Sequence, residues 1–266
     1  MSLGAALSDG VALTHRNLIK IKRVPDLLTT SLMGPIMSLL LFAFVFGSAI
    51  EVPGLSYREF LIAGIFTQTI AFNVVTTGSG LADDIQRGIM DRLRTLPISS
   101  SAVLVGRTTS DLMNNALALL VMSLTGLLIG WRVHTSVLEV IAGFLLLLLF
   151  GYAMSWVMAV VGLSVRAPEM VTNASFMVVM PLSFVANTYV STERMPGVLR
   201  VIAEWNPISA VTQAARNLFG NVNPAAPPPG AWPLQNAELA SVGWIVVIML
   251  IFVPLAIQRY NKAVSR

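Results

Sequence analysis

Residues 143–163 read GFLLLLLFGYAMSWVMAVVGL, an unbroken run without one charged side chain. A helix on the surface of a soluble protein keeps a polar face for water, and this run offers none. Roughly 20 mostly apolar residues suffice to cross the hydrocarbon core of a bilayer. The run is therefore a membrane span, and it sets the fold class as an all-α integral membrane protein.

Working outward by the same criterion, six tracts are predicted as transmembrane helices, at 27–49, 60–80, 110–130, 137–165, 169–190 and 239–257. The whole chain agrees with them. It has 266 residues, 55% hydrophobic and 11% charged, with a mean hydropathy of +0.76. Soluble domains carry about 25% charged residues. The second tract, FLIAGIFTQTIAFNVVTTGSGL, is the most polar of the six. The first follows a polar, basic segment and is long enough to span, so the sequence predicts a retained helix rather than a cleaved leader.

The basic residues orient the spans. With the N-terminus inside, the inner segments hold Arg16, Lys20, Lys22, Arg23, Arg87, Arg92, Arg94, Arg107, Arg166, Arg259, Lys262 and Arg266, and the outer ones only Arg58, Arg132, Arg194, Arg200 and Arg216. An excess of Lys and Arg marks cytoplasmic segments. Both termini are thus predicted to be cytoplasmic, which six spans allow. The net charge of +4 belongs to these loops facing anionic lipid. No Lys/Arg run with interleaved aromatics points to nucleic acid. Cysteine is absent, which excludes disulfides and thiolate metal sites.

One membrane domain over 1–266 results: a cytoplasmic segment 1–26, spans one to five over 27–190, an outer segment 191–238, span six at 239–257 and a tail 258–266. Residues 5–24 place Leu7, Val11, Leu18 and Ile21 near one helical face, predicting an N-terminal amphipathic interfacial helix. An ordinary basic flank is the alternative. Residues 82–97 are predicted as a cytoplasmic helix, because Ile85, Ile89, Leu93 and Leu96 form one apolar stripe flanked by charges of both signs. Pro97 interrupts it. In the outer segment, helical periodicity on either side of Asn206-Pro207 predicts two short re-entrant helices, followed by the Pro-rich NVNPAAPPPGAWPL.

No catalytic constellation emerges. His15 and His134 fall on opposite sides of the membrane, and neither HExxH nor GxSxG occurs. Adjacent Asp83 and Asp84 diverge on a helix. The phosphate-cradling GxxxxGK[ST] is missing too, so the chain has no P-loop for ATP. The chain is read as non-catalytic, with no metal and no cofactor of its own. Ion- or proton-driven carriers keep an ionisable residue near mid-membrane, and here the centre of every span lacks one. Asp111 comes nearest, four residues after Arg107, a spacing that makes the two a structural ion pair at the base of span three. The uncharged polar residues leave two readings open. Thr69, Asn73, Thr76 and Gly80 share a stripe of span two, and Asn173 lies in span five with Met177 and Phe184. These residues either pack helices together or line a substrate path, whose candidates are Thr69, Asn73, Thr76, Asn173, Met177 and Phe184.

Two stretches carry a family resemblance. GIMDRLRTLPISSSAVLVGRTTSDL at 88–112 and RMPGVLRVIAEWNPISAVTQAARNLFG at 194–220 resemble the signatures of bacterial ABC exporter permeases of the daunorubicin/multidrug-resistance, or ABC-2, type. The resemblance covers nearly the whole chain; the Pro-rich insert 222–233 is longer than the pattern. It implies a permease subunit of the bacterial inner membrane that dimerises with a second copy or a homologous permease. It also implies two copies of a separate ATPase that binds ATP and Mg. Carried over residue by residue, Asp91, Arg92, Leu93, Arg94, Leu96 and Pro97 would sit in a coupling helix, 82–97, docked into that ATPase. The cargo so implied is exported, and the lack of charge in the spans suits a hydrophobic or amphiphilic substrate such as a drug, lipid or lipid-linked glycan. The rival from another class is a channel or assembly subunit without ATP coupling, which replacement of Arg92 or Arg94 would leave active.

Overall fold

The computed structural model describes residues 25–47, 54–89, 100–165, 167–223 and 229–264, and the regular elements among them are all helical. The amphipathic segment 5–24 and the coupling residues 91–97 lie outside the described residues, as do 224–228 of the Pro-rich loop.

Helix α1 covers Pro25–Leu41 and continues through a wider π-type turn at Phe42–Phe46. Helices α2 (Tyr57–Asn73) and α3 (Val75–Gln86) form one rod, offset in phase at Val74. Helix α4 is Ser100–Leu128, α5 is Val137–Gly162 and α6 is Pro168–Val185. Two short helices follow, α7 (Gly197–Glu204) and α8 (Pro207–Phe219), then a single turn, α9 (Trp232–Gln235), and α10 (Ala237–Val264).

Four of these are long and apolar enough to cross a membrane: Tyr57–Gln86, Val103–Leu128, Val137–Gly162 and Ala237–Lys262. The decisive run lies in α5, whose 26 residues reach about 39 Å at 1.5 Å per residue. A capping box starts it: Ser136 Oγ accepts from the Glu139 amide, and the Glu139 carboxylate accepts from the Ser136 amide at 2.9 Å. The tract predicted as span five is shorter: α6 stops at Val185 rather than 190, with Glu169, Asn173 and Pro181 diluting it.

The path of the chain is set by contacts at the two ends of the bundle. At the Tyr57 end, Arg58 donates to the Ile129 carbonyl at 3.0 Å, His134 meets Glu59 at 2.9 Å and Asn217 donates to Glu238. The end of α4 and the starts of α2, α5 and α10 therefore lie together. The end of α1 joins them, since Phe42 stacks on Tyr189 and Arg58 lies over Phe44. At the Gln86 end, Leu81, Leu104, Trp156, Leu163 and Tyr260 make a separate apolar cluster.

Helix α5 packs against α3, α4, α8 and α10, and α3 also against α6. At the α3–α5 crossing the backbones touch: a side chain on Gly162 would collide with the backbone of Gly78. Towards the Tyr57 end the core is aromatic, with Phe66 edge-on to Trp131 and Phe219, and Phe144 against Phe219 at 5.1 Å. Within its most apolar stretch the α2–α3 rod is 78% buried, against 28–33% for the other three long helices. The rod, rich in amides and hydroxyls, is thus the long helix most enclosed by the others, with Thr76 left at its surface.

Candidate functional site

Two polar junctions bracket the apolar core. The first joins α3 to α4. Arg107, Asp111 and Asn115 recur at four-residue intervals and share one face of α4. Asp111 is buried; its Oδ2 accepts from Thr77 Oγ1 at 2.6 Å and lies 3.8 Å from Arg107 Nε. Arg107 Nη2 also donates to the Thr76 carbonyl at 2.9 Å. One turn deeper, Asn73 Nδ2 donates to Asn115 Oδ1 at 3.2 Å. Gly80 completes the seat, since any side chain there would run into the Arg107 guanidinium. The ladder runs from Arg107 to Asn115 and binds α4 to the α2–α3 rod.

The second junction joins the end of α6 to α8 and α2. Asn206, Ser209, Gln213 and Arg216 fall on one face of α8, and each reaches the last turn of α6 or the segment that follows it. Asn206 caps α8 through Oδ1, which accepts from the Ile208 amide, while its Nδ2 donates to the Leu182 carbonyl at 2.7 Å. Ser209 Oγ accepts from the Asn187 amide at 3.1 Å. Arg216 donates from Nε to the Phe60 carbonyl at 2.8 Å and from Nη2 to the Asn187 and Thr188 carbonyls at 2.7 and 3.2 Å. Its guanidinium carbon sits 3.6 Å from the centre of the Phe60 ring. Gly64 lets α2 approach, because a Cβ there would strike the Thr188 carbonyl. Beside them Tyr189 donates to Gln68. Burial pushes the Tyr189 phenol up, and that hydrogen bond offsets part of the rise.

The predicted site residues separate accordingly. Arg107 and Asp111 stand together in the first junction. Of the candidate path, Thr69 is buried and Asn73 is half-buried in the helix seam, while Thr76, Asn173, Met177 and Phe184 are exposed on the bundle surface. Phe72 meets Phe176 at 5.5 Å, so the surface strips of the α2–α3 rod and α6 are neighbours. The stretch predicted as a helix over 82–97 begins differently: residues 82–86 are the last turn of α3, and the chain turns at Gly88 with φ +67°. Sequence reasoning missed Thr77, Asn115 and the role of Arg216. The signal for the last was the alternating three- and four-residue spacing of polar side chains from Asn206 to Arg216.

Comparison with known proteins adds an independent finding. The family model described as ABC-2 type transporter matches residues 10–219. The chain is 32% identical to the daunorubicin resistance ABC transporter permease protein DrrB1 of Streptomyces coeruleorubidus over 259 residues, covering 97% of this chain and 88% of that protein. It is also similar to the putative transport permeases ycf38 of Pyropia yezoensis and Porphyra purpurea. These are 26% and 24% identical over 218 residues, 80% of this chain and 74% of each relative.

Proposed function

The chain belongs to the ABC-2 type transporter family, and from that premise we propose that it is the membrane permease of an ATP-driven exporter whose ATPase is a separate chain. The observation that carries this reading is the match along 97% of the chain to a daunorubicin-resistance permease. The missing P-loop in the sequence supports a separate motor.

In this reading the Tyr57 end of the bundle faces outside and the Gln86 end the cytoplasm, with six spans and both termini inside. The chain's own path supports the count. It leaves α5 at the Gln86 end and is back at the Tyr57 end by Asn187, where Arg216 bridges to Phe60; α6 therefore makes the return journey. Helix α1 likewise ends beside Tyr189 and Arg58. Helices α7 and α8 are the re-entrant pair at the outer end, with α8 inserted into the bundle.

Asp91, Arg92, Leu93, Arg94, Leu96 and Pro97 dock into the ATPase. ATP binding moves them, and the Arg107–Asp111–Asn115 ladder passes that motion to both flanking helices. ATP does work only if the ATPase dimer binds it more tightly in one arrangement than in the other. The permease works as a pair. A second copy or a homologue covers the surface that bears Asn173, Met177 and Phe184, since an exposed amide at that depth is costly in lipid. The adaptable methionines there suit a hydrophobic or amphiphilic cargo, and daunorubicin is the probe to try first.

The test is co-purification of the solubilised chain with its ATPase, comparing the native sequence with Arg92→Glu/Arg94→Glu. The native chain is expected to bring down an ATPase that hydrolyses ATP, and the double variant to lose it. A folded native dimer that captures no ATPase overturns the reading.

A further inference from the structure

Arg216 is buried, yet no carboxylate is paired with it among the described residues. A buried cation without a counter-charge is expensive, and it survives here on three carbonyl oxygens and one aromatic face. The accommodation is incomplete. Arg216 Nη1 has no hydrogen-bond partner, and neither do Asn187 Oδ1, Thr188 Oγ1 and Thr212 Oγ1 around it. Each of these atoms is sealed from solvent in this arrangement, which leaves no room for a ligand to satisfy them. A junction with four stranded polar groups gains when water reaches them. The same Arg216 bonds are what hold it shut, because they tie the 187–188 turn to α8 and α2 together.

We propose that Arg216 is a positioning residue for transport, a latch that keeps the outer end of the permease closed. Release of cargo to the outside requires its bonds to Asn187 and Thr188 to open. Hydration of the guanidinium and of the stranded hydroxyls and amide then stabilises the open form, so neither form is so favoured that the cycle stalls. Arg216 need not touch the cargo; it acts through the turn it holds. Release of cargo and its drive by ATP rest on the exporter reading, whereas the latch itself rests on the bonds of Arg216.

The absence of native cysteine makes the test direct. Thr188→Cys, placed in the chain co-expressed with its ATPase, reports opening through its rate of labelling by a membrane-impermeant maleimide applied from outside. Arg216→Met is expected to raise that rate about tenfold or more without ATP, the shift that loss of one charge-assisted bond gives. Arg216→Lys, which keeps the charge and a donor, should fall between. In the Arg216 chain, ATP turnover should raise labelling. Labelling in Arg216→Met no faster than in its parent overturns the latch. Faster labelling in Arg216→Met with no effect of ATP on the parent leaves the latch standing and overturns the exporter reading. Should Arg216→Met fail to fold, Asn187→Cys/Gln213→Cys decides: the two side chains already touch at 3.4 Å. A short reducible cross-linker between them should cut daunorubicin export at least about tenfold, the effect of holding one state by 1.4 kcal/mol, and reductant should restore it. Undiminished export by the cross-linked chain overturns the proposal.

Discussion

Asp111 is a carboxylate buried between helices, and it is tolerable only because Thr77 and Arg107 both serve it. Removing one partner leaves the rest short, whereas removing the acid leaves Arg107 without its counter-charge. Thr77→Val should therefore cost about 1.5–3 kcal/mol, the loss of a hydrogen bond to a charged group. Asp111→Ala should cost about 3 kcal/mol or more, as one half of a buried pair. Unfolding followed by tryptophan fluorescence in detergent measures both, and equal midpoints for native chain and Asp111→Ala would sink this account. Asn73 and Asn115 make a neutral bond, for which a double-mutant cycle should return a coupling of about 0.6 kcal/mol, the average for hydrogen bonds between membrane helices. The Arg107–Asp111 spacing was legible in the sequence because both residues sit on one helix. Thr77 was not, for a geometric reason: the offset at Val74 turns the face of α3 relative to α2. The stripe through Thr69 and Thr76 therefore does not continue as an ideal helix would carry it, and Thr77 takes the inward position.

Among the elements, the breaks written in backbone chemistry were the readable ones. Asn206-Pro207 supplies a cap and a residue preorganised for the first helical turn, and the two outer helices part there. The end of α6 carried no such mark. Apolar residues run on past it, but Pro181 weakens the helix and the carbonyls of Leu182, Asn187 and Thr188 are taken by α8. A contact with an element more than twenty residues downstream has no trace in local pattern. Glycine spacing was similarly mute, since the same residue serves packing in one place and nothing in another. The distinction gives a matched pair of substitutions. Gly162→Val forces α5 away from the Gly78 backbone and should cost about 3 kcal/mol, the upper range for overpacking. Gly243→Ala on α10 meets nothing within 4 Å and should be neutral or stabilising by up to about 1 kcal/mol, from helix propensity alone. Thermal midpoints of the purified variants separate the two; a Gly162→Val chain as stable as Gly243→Ala would mean the α3–α5 contact is not tight.

At the scale of the molecule, hydropathy identified the membrane class from one run and picked out the other five tracts, the polar second among them. The α2–α3 rod is polar because it is enclosed, and α6 is short because neighbours share its ends. The basic residues gathered at one side make an even number of spans the expectation. That inference has a consequence for accessibility. The starts of α5 and α10 meet at the Tyr57 end, and Leu163 and Tyr260 at their far ends pack together at the other, so α5 and α10 must run in the same direction. In the proposed six-span arrangement α6 returns the chain and the outer pair α7 and α8 does not cross, so α10 starts where α5 started. Single cysteines in this cysteine-free chain read the result. Gln235→Cys should react with an impermeant maleimide on intact cells, while Ser164→Cys and Asn261→Cys, all three at exposed positions, should react only after permeabilisation. If Ser164→Cys and Gln235→Cys react from the same side, α6 does not cross, and the bundle has lost the even span count on which the cytoplasmic placement of both termini depends.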